Sequence, residues 1–342
     1  MSGTGNHLDF YRHRRVLVTG GLGFIGSNLA RVLVDLGAHV TIVDSLLEDC
    51  GGRRGNVAEI AANISLHIAD VGQAGVMDDL VRGRDVIFNL AGQVSHIDSM
   101  RQPYRDLEVN CRNQLVLLEA CRQHNPDVKV VFAGTRQVYG RSQTLPVDES
   151  HLVRPTDVNG INKVAGEYYH LVYNDAFKVR GCSLRLSNVY GPRQLVRHDR
   201  QGFIGWFIRL AVEGKTIQIY GDGSQMRDLV YVDDVADAFL RAGATDVCNG
   251  EVYNVGGTEP ITHRDLTALL IEIAGSGRVE YVEWPPAKKA IDIGSFYVTS
   301  EKFAGATGWR PTVTLRDGLE RTVAFYRRHL PDFLLDEIRS AV

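Results

Sequence analysis

The sequence predicts an α/β protein with a doubly wound parallel sheet and a smaller second α/β lobe. Short apolar runs alternate with stretches of helical periodicity through the first half, a glycine-rich turn follows the first run, and the alternation changes after Gly181. Single hydrophobic cores rarely grow beyond about 250–300 residues, and this chain has 342. We therefore expect two units, residues 1–181 and 182–342, with the second partly interleaved with the first.

Apolar runs in the first half have the length and composition of buried strands. They are residues 16–19, 39–43, 64–68, 85–90 and 128–133. We also expect two long helices, 104–124 and 157–177, which carry apolar residues on more than one face. One face of each helix can pack on the sheet, which leaves the other for a partner subunit.

The second half is expected to contain shorter elements. Its predicted strands are 183–186, 216–220, 252–255 and 279–282, and its predicted helices are 203–213, 263–274 and 316–329. In the first half, residues 48–56 are rich in glycine and arginine, and this composition favours a mobile surface loop over a phosphate-binding site.

The composition argues against several classes of protein. A net charge of −3 gives no broad attraction for nucleic acid or an anionic membrane. No run approaches the roughly 18 apolar residues of a membrane span, and the first ten residues lack the apolar core of a signal peptide. The five cysteines are scattered without a C-x-x-C pair, so we expect neither a disulfide framework nor a metal site. These features predict a cytoplasmic protein.

The glycine-rich turn is the strongest indication of function. Residues 16–26 read V-L-V-T-G-G-L-G-F-I-G, a buried strand that turns sharply into a helix. The first N–H groups of such a helix point outward and, with the helix dipole, bind a pyrophosphate. The turn therefore predicts a Rossmann site for a dinucleotide, and we assign to it Gly20, Gly23, Phe24, Ile25 and Gly26.

An acidic residue specifies which dinucleotide binds. The second predicted strand is followed by Asp44, at the distance where a carboxylate accepts both hydroxyls of a ribose. Its charge would repel a 2′-phosphate. Asp44 therefore favours NAD over NADP.

Further motifs follow in a fixed order along the chain. They are A-D-V (69–71), N-L-A-G-Q-V-S-H (89–96), T-R-Q-V-Y-G (135–140), N-V-Y-G-P-R (188–193) and Y-G-D-G-S-Q-M-R-D-L-V-Y-V-D-D (220–234). Together with the glycine turn, Asp44, Asn110 and Lys163, this series resembles the extended short-chain dehydrogenase/reductase family over residues 15–328. Most members of that family are NAD-dependent nucleotide-sugar epimerases, dehydratases and decarboxylases.

The resemblance implies further contacts with the cofactor. Asp70 and Val71 would lie beside the adenine, and Lys163 on the nicotinamide ribose. The residues along the cofactor would be Leu90, Ala91 and Gly92. Aspartate is also common in turns at the ends of strands, so a purely structural role for Asp70 is the alternative.

On the substrate side, the resemblance implies that Asn188 and Arg227 hold the diphosphate of a nucleotide sugar. Arg227 has an alternative, which is a salt bridge to Asp228 or Asp233. Many relatives complete this clamp with a further arginine. At that place this chain has Lys288 or Lys289. The ammonium of a lysine is a point charge, whereas the planar guanidinium of an arginine can bind a phosphate through two hydrogen bonds.

The expected catalytic tyrosine is missing. The family pairs a Ser or Thr with Tyr-x-x-x-Lys, in which the tyrosine is the general acid/base. Thr135 and Lys163 match this pattern, but Asn159 occupies the tyrosine position, and an amide does not take up a proton. Either Lys163 titrates directly, or another side chain substitutes, or sugar oxidation is not the task of this protein. The substitutes considered are Tyr139, Tyr168, His96 and Asp157.

The two residues after Thr135 narrow the reaction. The resemblance implies an acid pair there in the 4,6-dehydratases and a glutamate in the decarboxylases, whereas this chain has Arg136 and Gln137. Neither side chain can transfer the proton that elimination requires. Arg136 is expected either to contact an anionic group of the substrate or to point to solvent.

We therefore expect an NAD-dependent nucleotide-sugar epimerase, an isomerase of carbohydrate biosynthesis, with an atypical site of Thr135, Asn159 and Lys163. The alternatives are a nucleotide-sugar dehydratase or decarboxylase, and a non-catalytic protein that binds NAD or a nucleotide sugar. The resemblance also implies a homodimer in which helices 104–124 and 157–177 pair with their copies in a four-helix bundle.

Overall fold

The computed structural model describes residues 7–335. Their strands are β1 (Arg15–Thr19), β2 (His39–Asp44), β3 (Ile64–Ile68), β4 (Val86–Asn89), β5 (Lys129–Thr135), β6 (Gly181–Leu186), β7 (Asn188–Tyr190), β8 (Thr216–Tyr220), β9 (Met226–Arg227), β10 (Leu229–Tyr231), β11 (Val252–Val255), β12 (Ile261–Thr262) and β13 (Arg278–Val282). The central sheet has seven strands in the order β11, β6, β5, β4, β1, β2, β3, and all neighbours are parallel. The predicted doubly wound sheet is confirmed.

Helices cover both faces of this sheet. They are α1 (Phe24–Asp35), α2 (Ala74–Val81), α3 (His96–Arg101), α4 (Pro103–Leu107), α5 (Asn113–His124), α6 (Val158–Phe177), α7 (Phe203–Val212), α8 (Val232–Ala244), α9 (His263–Ala274), α10 (Pro286–Ala290), α11 (Glu301–Thr307) and α12 (Leu315–Leu334). The predicted helix 263–274 and the predicted strands 64–68, 216–220 and 252–255 agree residue for residue with the structure. The last helix departs most from its predicted bounds, because it continues to Leu334.

Alternation of side chains along the buried strands builds two apolar cores. Val16 and Val18 of β1 face the core under α1 and α8, whereas Leu17 faces the core under α2 and α5. All three side chains are fully buried. Strands buried on both faces read as continuous apolar runs, which is why these segments were predictable from the sequence.

The order of the strands reverses between β1 and β4, since β2 lies on one side of this pair and β5 on the other. In doubly wound sheets, ligands bind beyond the carboxyl ends of the strands at this reversal. The glycine-rich turn follows β1, and Leu90 follows β4. The fold therefore directs both motifs to one cleft.

The predicted helix 104–124 is interrupted. Between α4 and α5, residues Glu108–Arg112 form a single π-helical turn. Such turns often occur at functional sites because they redirect one side chain. Here Asn110 exchanges two hydrogen bonds with the backbone of Gln93, at the edge of the same cleft.

The second half of the chain adds strands to the central sheet and also forms elements outside it. Strands β6 and β11 extend the central sheet, while β8 pairs with β13, β7 with β10, and β9 with β12 in separate two-stranded ladders. A further core, which includes Phe207, Leu270 and Tyr326, packs α7, α9 and α12 together. Between residues 7 and 335, no helix combines the length and the apolar character needed to cross a bilayer.

Residues 48–53 form the predicted loop, which is partly buried. Arg53 N donates to the Leu22 carbonyl at 3.1 Å, and Asn56 is 2% exposed and donates to the same carbonyl at 2.8 Å. From Arg54 the chain continues as a 3-10 helix to Asn63. Composition alone suggested solvation, but these hydrogen bonds hold the segment against the glycine-rich turn.

Candidate active site

The glycine-rich turn brings the backbone of β1 close to that of the strand beside it. Gly20 has a φ of +67°, and a Cβ there would lie 2.9 Å from the backbone of Ala91. A Cβ on Gly26 would lie 2.3 Å from the Gly20 carbonyl oxygen. Both glycines are therefore required by the packing of strand, turn and helix, and the N-terminus of α1 opens into a cavity of about 310 Å³. The cavity wall includes Gly20, Gly23, Phe24, Ile25 and Gly26.

Asp44 lies at the carboxyl end of β2, in the wall of this cavity. Its Oδ2 accepts a hydrogen bond from Leu22 N at 3.0 Å, and its Oδ1 accepts one from Leu46 N at 2.8 Å. Burial raises the pKa of Asp44, and the two backbone hydrogen bonds oppose this effect. Each carboxylate oxygen keeps acceptor capacity for a ribose hydroxyl.

The predicted adenine-side and central residues lie in the same wall. Asp70 Oδ1 accepts from Gly72 N at 2.7 Å and from Asn113 Nδ2 at 2.8 Å, so Asp70 is at once a turn residue and part of the cavity. Thr19 Oγ1 accepts from Leu90 N and Ala91 N, both at 3.1 Å, which fixes the backbone after β4. The remaining predicted residues in the cavity wall are Val71 and Gly92.

Lys163 and Thr135 lie in the wall of the same cavity. Lys163 is 4% exposed, and its Nζ donates to the Ala133 carbonyl at 3.2 Å. A Cβ on Gly92 would lie 2.8 Å from this Nζ. Burial lowers the pKa of Lys163 to about 8, although the negative charge of Asp106 opposes the shift. At neutral pH the Lys163 amine is therefore mainly protonated, but it loses its proton at a lower pH than an exposed lysine does.

Asn159 is committed to structural hydrogen bonds. Its Nδ2 donates to the Gln93 carbonyl at 2.7 Å and to Asp106 Oδ2 at 2.9 Å, and the residue is 1% exposed. Asn162 Nδ2 donates to the other oxygen of Asp106 at 2.8 Å. The asparagine at the tyrosine position thus links α6 to α4, and both N–H donors of its amide are used in these hydrogen bonds.

Two of the four substitutes considered for the tyrosine lie away from the cavity. Tyr139 is fully buried and donates to Asn254 Oδ1 at 2.7 Å. Burial raises its pKa to about 12. Tyr168 is 50% exposed on α6, and neither tyrosine belongs to the cavity wall.

The other two substitutes form a pair. His96 Nδ1 is hydrogen-bonded to Asp157 Oδ2, and His96 Nε2 lies 2.6 Å from Gln137 Nε2. Asp157 also caps α6 by accepting from Gly160 N at 2.8 Å. Burial alone would raise the pKa of Asp157. The hydrogen bond with His96 and the charge of His96 have the opposite effect and outweigh burial, so the pKa of Asp157 is lowered. His96 lies in the cavity wall, but its second nitrogen is already held by Gln137.

A second cavity of about 530 Å³ adjoins the first. Arg227 lies in its wall, and its Nη1 donates to the carbonyl oxygens of Met226 and Gly294 at 2.8 and 2.6 Å. The structure therefore gives no support to the alternative of a salt bridge from Arg227 to Asp228 or Asp233. Burial and the charge of a neighbouring arginine lower the pKa of Arg227 to about 9.

Of the two lysines considered for the clamp, Lys288 lies in the wall of the second cavity and Lys289 is exposed. Lys288 Nζ donates to Asp199 Oδ2 at 2.7 Å and to Tyr220 Oη at 3.0 Å. Asn188 lies in the wall of the first cavity instead, and its Nδ2 donates to the Asp228 carbonyl at 2.9 Å.

The two cavities share His96, Arg136, Gly202 and Phe203. Arg136 therefore occupies the junction and does not point to solvent. Its Nη2 donates to Asn188 Oδ1 at 3.2 Å, while its Nη1 is inaccessible to solvent and has no partner among residues 7–335. Unpaired buried donors are rare in native proteins, and no residue between 7 and 335 satisfies this one.

Sequence reasoning missed one wall of the first cavity. Residues 195–202, which we call the strap, contact the segment around Asp49: Arg200 Nη2 donates to Asp49 Oδ2 at 2.5 Å, and Arg197 Nη2 donates to Asp49 Oδ1 at 3.3 Å. Both segments contribute to the cavity wall. The only sequence signal was the local density of charge, which does not identify a partner.

The turn at Gly20, the acid at Asp44 and the cleft at the strand reversal define a dinucleotide-binding α/β protein with a second cavity beside the first. Residues 16–256 match the model of the NAD dependent epimerase/dehydratase family, and the chain belongs to this family, whose cofactor is NAD. The predicted resemblance to extended short-chain dehydrogenases/reductases is thereby confirmed.

Individual relatives cover nearly the whole chain. The UDP-glucose 4-epimerase of Mycolicibacterium smegmatis is 35% identical over 318 residues, which cover 92% of this chain and 98% of the relative. A dTDP-glucose 4,6-dehydratase of Actinoplanes sp. is 31% identical over 326 residues, covering 92% and 98%. The structure of the Thermus thermophilus UDP-glucose 4-epimerase in complex with NAD has a TM-score of 0.81 and 33% identity, covering 92% and 99%. These names describe two different reactions, so the choice between them rests on the site of this chain.

Proposed function

We propose that this protein is an NAD-dependent nucleotide-sugar epimerase. The observation that carries the proposal is the junction between the two cavities, where Arg136 and Gln137 follow Thr135 in place of the acid pair expected in a dehydratase. An arginine is always charged, and a glutamine transfers no proton. Epimerisation needs no acid at this position, whereas elimination of water does.

The predicted cofactor residues line the first cavity, which supports NAD binding there. The N–H groups at the start of α1 would bind its pyrophosphate, Asp44 the adenosine ribose, Asp70 and Val71 the adenine, and Lys163 the nicotinamide ribose. When bound, NAD supplies reversible hydride transfer at one carbon of the sugar. The nucleotide sugar would enter through the second cavity, with Arg227 on its diphosphate. Asn188 would contact the diphosphate from the first cavity.

Lys163 is the proton carrier in this proposal. The support is its burial, its pKa of about 8 and its position in the same wall as Thr135. Asn159 would act only in positioning, because its amide donors bind Gln93 and Asp106. Thr135 would orient the sugar hydroxyl, and Lys163 would take its proton while hydride leaves the same carbon.

One observation favours a second candidate, a non-catalytic protein that binds NAD and a nucleotide sugar. The amide of Asn159 takes the place of the usual acid/base, and its Nδ2 donates to Gln93 and Asp106. Mass spectrometry of ligands released from freshly purified protein, followed by incubation with a panel of nucleotide sugars, separates the candidates. Epimerisation gives a product of unchanged mass, a dehydratase or decarboxylase gives loss of water or CO₂, and a binding protein gives a bound nucleotide sugar without turnover.

We also propose a homodimer in the cytoplasm. Ile161, Tyr168 and Val172 form an apolar stripe on the exposed face of α6, 50–55% exposed, and Tyr104 is 86% exposed on neighbouring α4. Apolar side chains spaced in this way suit the predicted pairing of segments 104–124 and 157–177 with their copies in a four-helix bundle. Free thiols at all five cysteines suit a reducing compartment.

A further inference from the structure

Asp228 is a fully buried acid next to the residues that we assign to the diphosphate. It follows Arg227 in the chain and is 0% exposed. Its Oδ1 accepts a hydrogen bond from Ser187 Oγ at 2.5 Å, whereas its Oδ2 has no hydrogen-bond partner among residues 7–335. Burial of a charge with so little compensation is costly. Burial accordingly raises the pKa of Asp228 to about 6, although the Ser187 hydrogen bond and the charge of Arg136 oppose the shift.

The charged groups that face Asp228 are two arginines. Arg136 lies on the turn after β5 and favours the ionised carboxylate, and the charge of Asp228 in turn favours the charged form of Arg227. The other chain segments packed against Asp228 present backbone, at Val298 and at Gly256, where a Cβ would lie 2.3 Å from Oδ2. The ionised carboxylate is therefore stabilised by positive charge for which a bound diphosphate would compete.

One hydroxyl connects the Asp228 carboxylate to the amide of Asn188. Asn188 Nδ2 donates to Ser187 Oγ at 3.4 Å, and the same Oγ donates to Asp228 Oδ1. Asn188 Nδ2 also donates to the Asp228 carbonyl at 2.9 Å. A phosphate beside Asn188 would thus lie on the order of 8 Å from the carboxylate. At that distance, and at an effective dielectric constant of about 20, each negative charge raises a carboxyl pKa by about one to two units.

We propose that Asp228 takes up a proton when the diphosphate of the nucleotide sugar binds, so that the negative ligand meets a neutral carboxylic acid. This inference rests on the proposed function and concerns the regulation of the same site by pH. A shift of one to two units moves the carboxyl group from mainly ionised to mainly protonated at about pH 7. Because binding consumes a proton, the nucleotide sugar binds more tightly as the pH falls.

Two other buried groups of the cavities do not take up this proton near pH 7. Lys163, with a pKa of about 8, is already mainly protonated. Burial and the charges of Arg227 and Arg136 lower the pKa of His263 to about 3, so the same shift leaves this imidazole neutral. Asp228 is therefore the group whose pKa is carried across neutrality by an anionic ligand.

Isothermal titration calorimetry of the NAD-loaded protein measures the proton directly. The probe is UDP-, dTDP-, CDP- or GDP-glucose, whichever binds most tightly, because a sugar conjugate lacks the terminal phosphate that titrates near pH 6. Binding heats in buffers of different ionisation enthalpy give the number of protons taken up. At about pH 7 the wild type should take up at least about 0.5 proton per site, and its affinity should fall about fivefold between about pH 6 and 7.5.

Two variants and one spectroscopic measurement identify the group. Asp228→Asn cannot titrate, so it should take up less than about 0.1 proton, and its affinity should change less than about twofold over the same pH range. Asp35→Asn, at an exposed position, should behave as the wild type does. Infrared difference spectra of the wild type need no variant: addition of the nucleotide sugar should produce the carbonyl band of a protonated carboxylic acid.

Three results would overturn the proposal and leave the proposed function standing. They are binding of the nucleotide sugar without proton uptake, proton uptake that persists in Asp228→Asn, and absence of the carboxylic acid band. Persistent uptake would assign the proton to another group of the cavities, such as His96, which Asp228→Asn leaves in place. If neither a nucleotide sugar nor a nucleoside diphosphate binds, the proposed function fails and takes this inference with it.

Discussion

Lys163 is the residue on which the proposed chemistry depends. Its pKa of about 8 means that the neutral amine, which accepts a proton, becomes the major form only above that pH. Turnover should therefore rise as pH increases through about 8 and level off beyond it. Lys163→Ala should reduce turnover by roughly 10²–10⁴-fold, the usual contribution of a general base, while bound NAD is retained. Lys215→Ala, at an exposed surface position, is the control. A flat pH profile, or a Lys163→Ala variant of normal activity, contradicts this role.

In the proposed cofactor site, Asp44 sets the choice of dinucleotide. In Asp44→Asn the repulsion of a 2′-phosphate disappears, and one of the two backbone donors, Leu22 N or Leu46 N, loses its acceptor. We expect NAD binding to weaken by about 1–3 kcal/mol, the cost of a lost charge-assisted hydrogen bond, and NADP binding to weaken less or improve. Calorimetric titration with both cofactors measures this. Asp35→Asn, exposed at the end of α1, should leave both affinities unchanged. NADP binding as tight as NAD in the wild type would refute the assignment.

Among the structural elements, the strap forms part of the wall of the cavity in which we propose that NAD binds. Asp49 holds residues 195–202 through Arg197 and Arg200, and its carbonyl accepts from Gln201 Nε2. The Asp49 side chain is 40% exposed, so the ion pairs stabilise the closed wall only modestly. Asp49→Asn should raise the rate of NAD release by roughly fivefold, the equivalent of about 1 kcal/mol for a partly exposed pair. Release is followed by stopped-flow dilution into a competing binder. An unchanged release rate would show that the strap does not retain the cofactor.

Elements with local signals were predictable, and contacts between distant segments were not. The strands of the sheet were predictable from apolar runs in the sequence. The cleft was predictable from Gly20 and Asp44, because these two residues lie within about thirty residues of one another along the chain. The partners of Asn159 could not be predicted, since Asp106 reaches it from a different helix. The position of Arg136 was equally hidden, because segments that are distant in the sequence form the junction of the two cavities.

At the scale of the whole molecule, the exposed apolar stripe of α6 predicts self-association. Tyr168 and Val172 are 50% and 52% exposed, four residues apart on one face of the helix. The wild type should sediment as a dimer at micromolar concentration. Tyr168→Glu combined with Val172→Glu should sediment as a monomer, because charge is costly to bury at an apolar interface. Tyr281→Glu, at an exposed tyrosine on β13, is the matched control and should remain dimeric. A monomeric wild type excludes the four-helix arrangement.

The measurement that tests the central claim most directly is product analysis of a single reaction by proton NMR and mass spectrometry. Purified protein with bound NAD and no added oxidant is incubated with nucleoside-diphosphate hexoses and hexuronates. The proposed function predicts a stereoisomer of unchanged mass, formed over many turnovers without net accumulation of NADH. Loss of water or CO₂ from the sugar, or no conversion of any nucleotide sugar by protein that holds NAD and binds the sugar, would contradict it.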